Sequence, residues 1–280
     1  MGSPALGVDN LFSIFQYPGT IVDASTQVAG KEADRVASGR RSTIDHWTPT
    51  ADNLLAWLRA DNLTSHTADY LAIDRGHNLG GETIELRKST DNFVSNDVLV
   101  FSAVIPTTVT ENDTLTTTNG VLTPEGAWIR EFTSTSSRYW RLNVLAMGAG
   151  LRPRIVNAWL GELYKPATIH RPVQDEDDVP RGPETESEFG WLGLGRTVIQ
   201  RVGELPIKLT SFTEYNTGPA VHIRDNFNKR RPMWIVYDDT RAERAVLGIR
   251  PKGRSGFGFR GRWSYRQSVL RWVEWEPKID

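Results

Sequence analysis

The spacing of apolar residues constrains this chain more than any other feature. From Leu11 onward they come in short runs, broken every few residues by Gly, Pro, Asn, Asp, Ser or Thr, and long helical periodicity is nearly absent. Such runs build antiparallel strands rather than a helical bundle. Tyr70–Asp74, Val98–Ile105, Trp128–Phe132, Arg138–Leu145 and Arg154–Tyr164 are candidate strands. Glu82–Lys88 alternates, with Ile84 and Leu86 on one face and Thr83, Glu85 and Arg87 on the other. Asn53–Leu58 fits one helical turn or a strand, and the reading adopted is a strand. Strands separated by turn signals at this spacing predict an all-β sandwich or jelly roll.

Two shifts in composition divide the chain. Residues 1–10 read as a mobile N-terminal tail and 11–165 as the sandwich. Residues 166–190 hold Pro166, Pro172, Pro180 and Pro183 and the acidic run Asp175–Asp178, which reads as a stiff, self-repelling linker. Residues 191–280 read as a second β-rich domain with one short helix, Pro219–Lys229. There proline suits the first helical position, and Val221, Ile223 and Phe227 form an apolar stripe.

Several function classes drop out. With 33 basic and 34 acidic residues, no overall positive charge recommends nucleic acid as a partner. The absence of cysteine excludes disulfides, thiolate metal sites and cysteine nucleophiles. No hydrolase elbow, zinc-binding helix or phosphate loop occurs, so no enzyme is expected. The five histidines are scattered. No resident cofactor is expected, although Asp45, Asp69, Asp74 and Asp91 could meet in loops around a structural Ca2+. No apolar run is long enough for a membrane helix, and no leader is recognisable.

Four segments carry a resemblance: Asp45–Pro49, Ala68–Gly80, Thr83–Asp91, and Ser137–Leu142 leading to Ala158–Gly161. Their order resembles discoidin-type, coagulation-factor C-domain-like sandwiches. With Trp191–Arg196, Arg231–Tyr237 and Trp272–Glu276, the pattern is similar to bacteriophage tail proteins in which a discoidin-like domain precedes a second domain. The disulfide common in discoidin domains is missing here.

The resemblance implies a discoidin-like jelly-roll sandwich in a non-catalytic minor tail or tail-tip component. Such a protein is made in the host cytoplasm and resides in the virion tail. It docks on other virion tail proteins, forms a homo-oligomer in the assembled particle and can display its sandwich to a host-surface glycan. The alternative is a carbohydrate-binding module protein acting in cell-surface adhesion. His46, Trp47, His77 and Asn78 are the candidate ligand contacts, with Trp47 equally suited to the core. Phe257, Phe259, Arg260 and Arg262 are the interface candidates, since interfaces favour aromatic residues and arginine. Tyr139 and Trp140 are adjacent on one strand, so one packs inward and the other covers an edge or interface.

Overall fold

The structure, a computed structural model, describes residues 5–7, 9–13, 16–37, 46–52, 54–111, 114–115, 119–124, 126–165, 168–169, 177–181, 184–186, 192–194, 198–209, 219–229, 231–237, 239–249 and 266–274. In chain order the strands are β1 (Ala5–Gly7), β2 (Ile21–Ala24), β3 (Ala56–Ile73), β4 (Thr83–Ser89), β5 (Val98–Val104), β6 (Val121–Leu122), β7 (Trp128–Val144), β8 (Ala158–Gly161), β9 (Leu163–Tyr164), β10 (Thr168–Ile169), β11 (Asp177–Arg181), β12 (Glu184–Glu186), β13 (Leu192–Leu194), β14 (Val198–Leu209), β15 (Met233–Val236), β16 (Val246–Ile249) and β17 (Arg266–Glu274). One α-helix, α1 (Pro219–Asn228), and two short 3-10 turns complete the described elements. The class is all-β, as the apolar spacing predicts. No described helix is long and apolar enough to cross a membrane.

The chain divides into two units. The first holds Met1–Lys165 and Trp234–Val246, the second Pro166–Met233 and Leu247–Trp275. In the first, the long strands β3 and β7 pair antiparallel, with register breaks between Asp61 and His66 and between Ala68 and Tyr70. Such bulges bend a strand and let it pass from one sheet into another. The Ala56–Asp61 half of β3 pairs with Tyr139–Val144 of β7 in the order β2-β3-β7-β4-β5. Beyond the breaks, Tyr70–Ile73 pairs with Trp128–Glu131, with β8 along β3 and β6 along β7. Ala56, Leu58, Ala60, Trp140, Leu142, Ile84 and Leu86 from the first half share one buried cluster with Leu71, Ile73, Trp128 and Leu160 from the second.

Two expectations are corrected in this unit. Residues 1–10 do not all form a mobile tail: Ala5–Gly7 is a strand held between β9 and β15, and Ala5 and Leu6 are fully buried. The next residues are stitched down as well. The Tyr70 hydroxyl donates to the Asp9 carbonyl at 2.7 Å, and the Asn62 amide donates to the Leu11 carbonyl at 2.6 Å. Second, Trp234–Val246, expected in the C-terminal domain, belongs to this unit because Trp234–Val236 pairs with β1.

Asp69 on β3 accepts the Leu163 backbone N–H at 2.7 Å, yet burial pushes its carboxyl up to about 6. The folded state therefore holds this proton more tightly than the unfolded chain. Stability from this group is full at low pH and falls as pH rises from about 4 through about 6. Asp69→Asn keeps the acceptor oxygen and removes the charge. Urea unfolding midpoints of this variant lose that pH dependence and exceed the wild type at pH 7; an unchanged profile would show that Asp69 does not carry the effect.

In the second unit β14 is the hub. It pairs with β11 over Val198–Val202, with β10 at Ile207–Lys208 and with β17 over Val202–Leu209. β17 pairs with β16 at Gly248–Ile249, and β12 and β13 form a hairpin. The described residues of 166–190 all lie in strands (β10, β11, β12), where the prolines and acids suggest an extended linker. Pro180 is accommodated in β11 itself. Helix α1 starts at Pro219, as expected, and buries Ile223 and Phe227.

Candidate functional site

The four residues expected to contact a ligand lie on loops at one end of the sandwich. Trp47 bridges to Ile155, is completely buried and donates its indole N–H to the Thr26 carbonyl at 3.1 Å. It is a core residue, so its own ring offers no platform. His46 is half-buried, with Nδ1 3.5 Å from the Lys31 Nζ. His77 Nδ1 accepts the Leu79 N–H at 3.1 Å, and burial lowers its pKa to about 4. Asn78 donates to the Arg152 carbonyl at 2.9 Å and accepts from the Arg154 N–H at 2.7 Å, tying two loops together. Gly76 and Gly81 take positive φ on either side of these residues. Phe257, Phe259, Arg260 and Arg262 lie outside the described residues.

Asp45, of the four candidate calcium ligands, also lies outside the described residues. Asp69 is engaged with the backbone, and Asp91 organises its own turn. Among the described residues no group of three or more acids or histidines is placed to hold a metal ion.

A denser concentration of chemistry sits on the outer face of the β2-β3-β7-β4-β5 sheet. Strand alternation puts Leu58, Leu142 and Leu86 in the core, so Arg59, Arg141 and Arg87 point the other way. Strand register then aligns these three arginines directly across β3, β7 and β4. Adjacent like charges repel in such a ladder, and carboxylates answer each one. Arg59 donates to Asp23 through Nε, at 2.9 Å, and through Nη2. Arg87 donates to Asp97 at 2.6 Å and to Glu85 at 3.0 Å. Arg141 donates to the second oxygen of Asp97 at 2.6 Å. Further along the same two strands, Arg138 grips Asp61 through two hydrogen bonds of 2.7 and 2.9 Å.

Aromatic rings are interleaved with these charges. The Arg59 guanidinium lies 5.5 Å from the Trp57 ring, Arg138 4.7 Å from Tyr139, and Arg141 4.1 Å from Phe93. Phe93 reaches this face from the β4–β5 loop through an unusual backbone. Asn92 and Phe93 both have φ of +63°, a region that side chains other than glycine seldom occupy. Asp91 holds the pair there. Its carboxylate accepts from Ser89 Oγ, Ser95 N and Asn96 N, while Ser89 Oγ accepts the Phe93 N–H. These bonds pull the Asp91 carboxyl well below the usual carboxylate range. The result is that Asn92 Oδ1 accepts from Arg59 at 2.5 Å while Phe93 stacks on Arg141. Strain kept in place by surrounding bonds concentrates at functional sites.

Alternation within Glu82–Lys88 places Glu85 and Arg87 on a common face but does not assemble this surface. The signal was present as three alternating stretches at 57–61, 83–87 and 139–143. Their register across the sheet was missing.

No protein-family model matches the chain, and no curated protein matches it. Solved structures do. Chitosan-binding module 1 of a chitosanase/glucanase from Paenibacillus sp. IK-5 is 18% identical, covering 55% of this chain and 98% of its own, with a TM-score of 0.40. CpGH89CBM32-5 from Clostridium perfringens, solved with GalNAc-β-1,3-galactose, is 12% identical over 51% of this chain and 95% of its own, with a TM-score of 0.39. The family 32 CBM of NanJ from C. perfringens, solved with galactose, is 12% identical over 52% and 93%, with a TM-score of 0.38.

Proposed function

We propose that this chain is a non-catalytic glycan-binding protein, and that the outer face of the β2-β3-β7-β4-β5 sheet is its binding surface. The observation that carries this reading is the strained Asn92–Phe93 pair, which fixes a ring and a carboxamide beside an arginine–carboxylate array. A sugar ring offers apolar C–H faces that stack on aromatic side chains. Its hydroxyls need donors and acceptors held in fixed directions. Trp57, Tyr139 and Phe93 supply the first; the paired arginines, their carboxylates and Asn92 supply the second. A protein partner fits less well, because the centre of a protein interface is depleted in acids, and this centre holds Asp23, Glu85 and Asp97.

Trp57→Ala tests the reading. Trp57 is only half-buried on the outer face, so the fold tolerates its loss. On a glycan array read by calorimetry, affinity for the best glycan falls at least ~10-fold, the size expected when a stacking anchor is removed. Binding that is indifferent to Trp57, or the absence of any glycan binding by the wild type, overturns the reading.

The setting implied by the sequence resemblance, a phage tail with this face turned to the host surface, belongs to the same proposal. Gold-labelled antibody against the protein would then decorate tail ends of intact particles. Unlabelled particles would remove that setting and leave a free adhesive module.

A further inference from the structure

The ladder of arginines has one carboxylate unlike the others. Asp23 sits within β2, and Glu85 within β4. Asp97 belongs to the β4–β5 loop, with its side chain 37% exposed, and among the described carboxylates of this ladder it alone bridges two arginines, Arg87 and Arg141. Each of those guanidiniums is anchored independently of Asp97. Arg87 is held by Glu85, and Arg141 lies against the Phe93 ring. Both side chains are about one-fifth exposed. Two held, partly desolvated guanidiniums on neighbouring strands, about 4.8 Å apart in strand spacing, each donate to one oxygen of a single carboxylate.

A second observation lies in the same place. Arg141 Nε and Asn143 Oδ1 are buried and have no hydrogen-bond partner among the described residues. They sit two residues apart on the same face of β7, and Asn143 is 3% exposed. One is a donor and the other an acceptor, and a hydroxyl has the chemistry to complement both, accepting from Arg141 and donating to Asn143. A buried polar atom left without a partner is costly, which favours a ligand that brings that hydroxyl.

We infer that Asp97 is an internal stand-in for the carboxylate of an acidic sugar, and that such a ligand binds by displacing Asp97 from Arg87 and Arg141. This rests on the reading of the sheet face as a glycan site and names its ligand class. With Asp97 withdrawn, Arg141 loses its carboxylate partner and Arg87 keeps Glu85, and the incoming carboxylate restores the balance. The hydroxyl neighbouring the sugar carboxylate meets Arg141 and Asn143, while the ring stacks toward Phe93 and Trp57.

The test uses three acidic probes, trigalacturonate, a hyaluronan tetrasaccharide and an α2,8-linked disialic acid, each beside its methyl ester, with the full-length chain in calorimetry. At least one acid binds the wild type at least ~10-fold more tightly than its ester. Asp97→Asn strengthens that acid about 10-fold and widens its advantage over the ester. Arg87→Lys, which keeps the charge but loses the fork, weakens the acid about 10-fold with the melting temperature unmoved. The inference is overturned if no acid outbinds its ester, or if Asp97→Asn fails to strengthen acid binding. Trp57-dependent binding of esters or neutral glycans without acid preference sinks this inference alone. No binding of any glycan sinks the glycan reading with it.

Discussion

A chain lacking residues 1–10 melts more than about 10 °C below the full-length protein. The deletion exposes what β1 covers and removes Leu6, whose burial stabilises by about 2 kcal/mol. It also strands polar groups in the interior. The Tyr70 hydroxyl loses the Asp9 carbonyl, Phe12 N and Leu160 N lose Asn10 Oδ1, and the Ala158 carbonyl loses the Asn10 amide. Each buried group left without a partner costs about 1–3 kcal/mol, so the total is about 6 kcal/mol or more. At about 2–4 °C per kcal/mol for a domain of this size, the shift is well outside error. Gly161→Ala should act through the same contact, because a Cβ there would stand 2.5 Å from the Asp9 carbonyl oxygen. The two changes are therefore strongly non-additive: in the truncated chain Gly161→Ala costs little. Thermal denaturation followed by circular dichroism measures all four members of the cycle. A truncated chain that melts with the wild type would return these residues to the status of a tail.

The second large effect is at Gly120. It has φ of +75°, and a Cβ there would lie 2.7 Å from the ring of Trp128. That ring cannot step aside. It is fully buried, and its indole N–H donates to the Asn119 carbonyl at 2.8 Å. Gly120→Ala combines the backbone penalty of a left-handed alanine, about 1–2 kcal/mol, with overpacking of about 1–3 kcal/mol. The expected loss is about 3 kcal/mol. Gly126→Ala is the matched control: φ is +81° with nothing within 4 Å of its Cβ position, so only the backbone term applies. Equal losses in the two variants would show that the Trp128 contact is not the cause.

The binding face illustrates why a site can be written in a sequence and still not be read from it. Alternation shows that Arg59, Arg87 and Arg141 each point away from a core, but it does not show that they point away from the same core in adjacent columns. Only the pairing Arg59–Arg141–Arg87 turns three scattered arginines into a ladder. The Asp91 turn is equally local in sequence, yet the positive φ of Asn92 and Phe93 matters only because Arg59 and Arg141 lie beneath them. Trp47 is the opposite case. A tryptophan beside a histidine in a loop region suits a stacking platform, and burial by elements far away in sequence made it core.

What the sequence by itself determined here is everything with a short period. Strand alternation specified that Ile84 and Leu86 face inward and that Tyr139 and Trp140 part to opposite faces, and proline's fit to the first helical position marked Pro219 as the start of the described helix. These are consequences of backbone geometry within a few residues. The tertiary structure alone decided that Ala5–Gly7 is a strand, that Trp234–Val236 pairs with it from more than 200 residues away, and that the arginines form a row. Sheet partners are chosen by complementary surfaces brought together from distant segments. That choice leaves no period in the sequence, because the hydrogen bonds that fix register are made by a backbone common to every residue.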